Sequence, residues 1–239
     1  MNQKQAFDTG YVLHRRRYRE TSLIVELFTR GHGRVSAVAK GAMRPKSPLG
    51  ACLQPLTPVR LTLRGRHELM NLHAAEACGP AYVVTGDRLY SVMYVNELLT
   101  KLTAVHDPHP ELLDVYEATL KQIASAAALE PSLRSFEYQL LEHIGFGMQV
   151  DADARTGEAL DAERIYRYIP EHGAVQSAQD TVHVAVTGAC LIALAGRGPW
   201  SPDSLAGAKT LMRRIIDHHL DGRPLKTREL FAASRQRSA

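Results

Sequence analysis

The side chains best suited to chemistry in this 239-residue chain are its eleven histidines and three cysteines, so metal ligation and thiol chemistry come first. Cys52, Cys78 and Cys190 are far apart and share no C-x-x-C spacing. They read as reduced thiols, not as a disulfide framework or a Cys-ligated metal site. His106 and His109 bracket Pro108, which breaks the helix that would bring both rings to one face. His218 and His219 are adjacent, and neighbouring side chains on a helix point about 100° apart. No H-E-x-x-H occurs, and no cysteine pair could complete a zinc site. Gly145-Phe146-Gly147 follows a helical stripe, the wrong context for a dinucleotide loop, and neither G-x-x-x-x-G-K-[ST] nor G-x-S-x-G is present. Carboxylates in the second half are scattered without a recognisable pair. The expectation is a protein that is not an enzyme, with no catalytic residue, no bound metal and no cofactor.

The remaining chemistry is cationic. The formal net charge of +4 conceals an asymmetry: residues 1–80 hold thirteen Lys and Arg against five Asp and Glu, a balance of +8, while residues 81–239 balance to −4. A basic segment joined to an acidic one suggests two domains with different partners, the basic one facing a polyanion, most simply nucleic acid. The best candidate within it is the stretch Lys40-Gly41-Ala42-Met43-Arg44-Pro45-Lys46-Ser47-Pro48-Leu49-Gly50, where breakers hold three cations in solvent. Only Phe7, Tyr11, Tyr18 and Phe28 are aromatic before residue 40, and several must pack a core. Backbone electrostatics should therefore outweigh base stacking, with weak sequence preference and steep salt dependence. After Met212 the sign turns positive again, with Arg213, Arg214, Arg223, Lys226, Arg228, Arg235 and Arg237 against Asp217, Asp221 and Glu229.

The elements that must position these cations are legible in outline. Tyr11-Val12-Leu13, Thr21–Phe28 and Val35–Ala39 are rich in β-branched and aromatic residues, with Arg30–Arg34 as a turn between strands. Val59, Leu61 and Leu63 alternate with Arg60, Thr62 and Arg64, the period of a half-buried strand; Gly65-Arg66 turns the chain into His67–Leu72. Some five short strands with one long basic loop suit a small barrel of the OB type, or an SH3-like one. From Asp87, a candidate cap, the spacing turns helical through Leu89, Val92, Met93, Asn96, Leu99 and Leu102, then breaks at His106–Pro110. Leu113, Tyr116, Leu120 and Ile123 continue it. Pro131 sits where helices start, and the stripe Leu133, Phe136, Leu140, Ile144 ends at Gly145. Ile165–Ile169 alternates like a short strand, and Thr187–Ala195 and Asp203–Leu220 return to helix, closed by Gly222 and Pro224. The fold class read here is α+β: an N-terminal OB-fold β-barrel over residues 1–80, then a mainly helical domain over 81–239 with a small β-hairpin insertion and a basic C-terminal tail. With 45% hydrophobic and 23% charged residues the chain can bury real cores. No apolar h-region or membrane-length run is present, so a soluble, cytoplasmic protein is expected.

Several segments taken in order resemble one family. Tyr11-Val12-Leu13-His14, Glu20-Thr21-Ser22-Leu23, Leu27-Phe28-Thr29, Gly33-Arg34-Val35 and Val38-Ala39-Lys40-Gly41-Ala42 look like the opening of the bacterial RecO recombination mediators. Leu53-Gln54-Pro55, Asn96-Glu97-Leu98-Leu99, Leu133-Arg134-Ser135-Phe136-Glu137 and Gly145-Phe146-Gly147 continue the match, and Pro224–Phe231 closes it. The resemblance implies an OB-fold followed by a helical domain. It implies a role in DNA repair: binding single- and double-stranded DNA, annealing strands coated by single-strand binding protein, and loading RecA together with RecR. It implies DNA-facing roles for Arg34, Lys40 and Arg44, joined in the candidate set by Lys46, Arg64 and Arg66, with Lys226 and Arg228 as supplements. Arg134 would lie near a groove for the acidic, hydrophobic C-terminal tail of single-strand binding protein. Some members carry a four-cysteine zinc site after the Gly-aromatic-Gly turn. Here Met148–Gly157 contains no cysteine, so zinc should be absent and packing of the Tyr166–Ile169 hairpin should hold the segment. The competing reading is a protein–protein adaptor whose helical domain recruits repair partners, with DNA binding incidental.

Overall fold

A computed structural model describes residues 7–65, 68–176 and 184–238. The chain divides into two compact units, residues 1–124 and 125–239. The first is built on strands β1 (Asp8–Tyr18), β2 (Ser22–Thr29), β3 (Gly33–Ala39), β4 (Pro58–Arg64) and β5 (Leu69–Ala77), with the short helix α1 (Pro48–Cys52) between β3 and β4. The sheet order is β1-β2-β3-β5-β4, closed by β4 pairing back onto β1. All neighbours are antiparallel except β3 and β5. This is an OB-like barrel. Its interior is filled by Val12, Leu23, Val25, Leu27, Val35, Ala37, Val59, Leu61, Met70 and Leu72, with Cys52 and Leu53 entering from the end of α1.

Helices α2 (Gly86–Leu102) and α3 (Pro110–Ala124) belong to the barrel's unit. The change of pattern near residue 80 therefore marks the end of the barrel strands, and the compact unit runs on to Ala124. Asp87 lies inside the first turn of α2, where its charge suits the helix dipole, and Thr85 holds the cap position. The buried face of α2 is Val92, Val95, Asn96, Leu98 and Leu99, while Leu89 and Met93 remain exposed. One polar chain runs through this packing. The buried Tyr116 hydroxyl of α3 donates to Asn96 Oδ1 at 2.8 Å, and Asn96 Nδ2 donates to the Leu13 carbonyl of β1 at 3.1 Å.

The second unit contains α4 (Leu129–His143), the three-stranded sheet of β6 (Ile165–Ile169), β7 (Gly173–Gln176) and β8 (Ala185–Thr187), and helices α5 (Gly188–Leu194), α6 (Pro202–His219) and α7 (Lys226–Ser238). Gly145, at φ +86°, closes α4. Phe146 N–H donates to the Leu141 carbonyl and Gly145 N–H to that of Glu142, the paired bonds of a Schellman motif. Ser201 caps α6 in a reciprocal box with Ser204. The basic tail is a helix from Lys226, an element the sequence reading placed as tail. Met148, Val150, Tyr166, Tyr168, Val186, Leu191, Leu211 and Ile215 form the core that joins hairpin to helices.

The cysteine-free segment after Gly147 is tied down by a carboxylate as well as by this packing. Asp153 Oδ1 accepts from the N–H of Arg155 at 2.8 Å and of Thr156 at 3.2 Å, while Oδ2 accepts from Gln176 N–H of β7 at 2.7 Å. Burial alone would raise the pKa of Asp153, but these backbone donors hold it below the usual carboxylate value. The segment holds no thiolates for a zinc ion, and no group of three His, Cys, Asp or Glu among the described residues could take one. Among those residues no helix is long and apolar enough to cross a membrane.

Candidate nucleic-acid interface

The barrel has a charge polarity along its strands. Across β1, β2 and β3 the register places Arg17, Leu23 and Ala39 in one row and Arg16, Ile24 and Val38 in the next. Lys40 follows Ala39, so it lies two strand spacings, about 10 Å, from the end of β1. The Lys40–Lys46 segment is a pair of tight turns: Arg44 N–H donates to the Gly41 carbonyl and Ser47 N–H to that of Arg44, both at 3.1 Å. It is bound to the neighbouring hairpin by Met43 N–H, which donates to the Thr21 carbonyl at 2.9 Å. Ala42 is buried beneath it, and Gly50 of α1 packs so close that a Cβ there would stand 2.2 Å from the Ala42 carbonyl oxygen. Lys40, Arg44 and Lys46 are all exposed.

The opposite end of the barrel is neutralised. Asp8 accepts from Gly31 N–H and meets His32 Nδ1 at 2.6 Å. Burial alone would raise the Asp8 pKa, but the His32, Gly31, Thr29 and Thr9 hydrogen bonds bring it below the ordinary value. Arg30 pairs with Asp114, and Arg60 with Glu76. Arg34 is half-buried, with Nη1 2.6 Å from Glu26 Oε1 and with Nε and Nη2 donating to the Thr103 carbonyl after α2. The structure thus separates Arg34 from the loop cations and commits its guanidinium to positioning α2 against the barrel.

The other candidate cations are dispersed. Arg64 is exposed at the end of β4, opposite Asn71. Arg66 lies outside the described residues. Lys226 and Arg228 open α7 in the second unit, where Arg228 is ion-paired with Asp217. Arg134 of α4 is 6% exposed, and its Nη2 is 2.9 Å from Oε1 of the fully buried Glu137. It is no surface cation. Its Nε is a buried donor without a hydrogen bond among the described residues. Sequence reasoning counted Arg15, Arg16, Arg17 and Arg19 in the basic balance but singled out none of them. The structure places all four on the β1–β2 hairpin beside the loop. A run of consecutive cations has no strand period, so only their number could have drawn attention to them.

A closed five-stranded OB-like barrel with one cationic end, followed by a helical unit with a small sheet, defines a two-unit α+β protein. The model of the family described as Recombination protein O N terminal matches residues 1–81, and that described as Recombination protein O C terminal matches residues 84–229. The chain is 47% identical over 227 residues to the DNA repair protein RecO of Methylococcus capsulatus, covering 95% of this chain and 93% of that one. It is 39% identical to the protein of the same name from Pseudoalteromonas atlantica and 41% to that from Stutzerimonas stutzeri, each over 93% of this chain and 92% of the relative. The chain belongs to the RecO family of DNA repair and recombination proteins.

Proposed function

We propose that this protein is a recombination mediator. It binds single- and double-stranded DNA at the cationic end of its barrel, anneals complementary strands coated by single-strand binding protein, and helps RecR load RecA. The observation that carries the reading is the placement of Lys40, Arg44 and Lys46. They are exposed, held out by a hydrogen-bonded double turn, and without an ion pair among the described residues. Arg64, exposed at the end of β4, is a separate cation that could contact the same polymer. Phosphates neutralised by these side chains release counterions, which supplies affinity without reading sequence. Two backbones held at a cationic surface repel each other less, so complementary strands meet more often. Pairing itself provides the free energy, and no bond to the protein need form.

Arg134 supports a partner contact of a particular kind. A carboxylate from the single-strand binding protein tail would reach this guanidinium only by competing with Glu137 for it, so the contact requires the buried pair to open. The decisive experiment is annealing of complementary oligonucleotides, naked and coated, without nucleotide, over a salt series. Acceleration on both substrates that fades with salt supports the mediator reading. Charge reversal at Lys40, Arg44 and Lys46 should flatten the logarithmic salt slope of single-strand binding by about 2 or more. No acceleration on either substrate overturns the reading.

A further inference from the structure

We propose that Arg16, Arg17 and Arg19 of the β1–β2 hairpin join Lys40, Arg44 and Lys46 in one continuous phosphate track, held by charge rather than by base stacking. The proposal rests on the nucleic-acid reading above and adds the residues that make up its other half.

Four observations carry it. First, β1 outruns the barrel. It pairs with β4 only from Asp8 to Tyr11, so beyond that segment its outer edge has no strand partner among the described residues. An edge of this kind normally invites another strand, and cations leaving it on both faces, Arg17 on the side of Leu23 and Arg16 on the side of Ile24, repel one while remaining open to a polyanion that wraps the edge. Second, the cations there are uncommitted. Arg16, Arg17 and Arg19 are exposed and make no ion pair among the described residues. Arg30, Arg34 and Arg60, toward the other end of the same barrel, are each matched to a carboxylate. Arg15 is partly spent, its Nη1 donating to the Leu53 carbonyl at 3.4 Å. The only acid in the hairpin turn is Glu20.

Third, the two groups of cations are physically joined. The Met43–Thr21 hydrogen bond fixes the loop against the hairpin turn, and the row Arg17–Leu23–Ala39 sets Lys40 beside the end of β1. Fourth, the aromatic ring at this end is occupied. Arg19 lies over the Tyr18 ring, 5.1 Å from its centroid, so that face is closed to a base. With one face of Tyr18 taken, the surface offers more charge along a backbone than area for stacking, which predicts binding largely indifferent to base identity.

The test is fluorescence titration of the full-length protein with labelled single-stranded oligonucleotides at several salt concentrations. Replacing Arg16, Arg17 and Arg19 together by alanine should reduce the slope of log K against log salt by about 2, since each single-strand phosphate contact contributes about 0.7. The matching lysine variant should keep the wild-type slope, which separates lost charge from lost fold. Combining the alanine triple with Lys40→Ala, Arg44→Ala and Lys46→Ala should add the two reductions, as one track requires. Tyr18→Leu should leave affinity within twofold on both poly-dT and poly-dA. An alanine triple with wild-type affinity and slope overturns the assignment of the hairpin. A combined variant no weaker than either parent overturns the continuity of the track. A tenfold loss in Tyr18→Leu overturns the non-stacking mode. A wild-type protein that binds no oligonucleotide would instead remove the nucleic-acid reading itself, a result distinct from all of these.

Discussion

Asn96 Nδ2 donates to the carbonyl of Leu13, and Leu13 is the residue at which β1 bulges. The register with β2 runs from Val12 opposite Leu27 to His14 opposite Glu26, so Leu13 stands outside the ladder and its carbonyl needs another donor. The bulge also reverses side-chain alternation. Past it, Arg15 and Arg17 lie opposite Val25 and Leu23 of the core, while Arg16 lies opposite Ile24 on the other face. One amide on α2 thus stabilises the irregularity that distributes the hairpin arginines over both faces.

Replacing Asn96 with leucine would strand both the Leu13 carbonyl and the Tyr116 hydroxyl in a dry interior. A loss of roughly 1–3 kcal/mol is expected, seen as a lower midpoint in urea unfolding at an unchanged slope. Wild-type stability in this variant would mean that the bulge does not need its donor.

The Arg134–Glu137 pair sets a second expectation. Arg134→Ala leaves the fully buried Glu137 without its guanidinium, a change that costs about 3–5 kcal/mol when one partner of a buried pair is removed. A loss of partner binding in that variant would therefore report unfolding. Arg134→Lys retains a cation for Glu137 but has no Nε. It should keep most of the stability while weakening binding of a peptide ending in an acidic, hydrophobic tail, measured by fluorescence anisotropy. Equal peptide affinity in Arg134→Lys and wild type would remove Arg134 from the contact.

Asp153 links stability to pH. Its folded-state pKa lies below the unfolded value of about 3.8 because backbone donors outweigh burial. The sign follows: the stabilisation is present above that value and is lost as pH falls through the folded pKa. Asp153→Asn keeps the shape but weakens the acceptance from Arg155, Thr156 and Gln176. The variant should be less stable at pH 7, and the difference from wild type should shrink as pH falls below 4. A gap that stays constant between pH 7 and pH 3 in thermal unfolding would show that the Asp153 charge does not hold the loop.

What the sequence made legible were elements with a period or a punctuation mark. Val59, Leu61 and Leu63 alternate and form β4, and Gly145 ends α4 at a positive φ. The extension of β1 through His14–Tyr18 was hidden because its four exposed residues in a row, His14, Arg15, Arg16 and Arg17, carry no alternation, and α7 because it is polar and follows Pro224. Exposure was legible where breakers decide it, as at Lys40, Arg44 and Lys46. It was illegible where a partner decides it. Arg34 meets Glu26 only because β2 and β3 are paired, and the i,i+3 spacing of Arg134 and Glu137 is equally compatible with a helix surface.

Gly50 offers a way to move the loop without touching a charge. A methyl group there would collide with the Ala42 carbonyl, the anchor beneath Lys40–Lys46, so Gly50→Ala must displace the double turn or α1. Net charge is unchanged, and long-range attraction should persist. Single-strand affinity is expected to fall several-fold through faster dissociation, with the association rate nearly preserved because steering depends on total charge. Stopped-flow fluorescence separates the two rates. If both rates match wild type, the positions of Lys40, Arg44 and Lys46 do not matter to binding. If only the association rate falls, the loop contributes through its field alone.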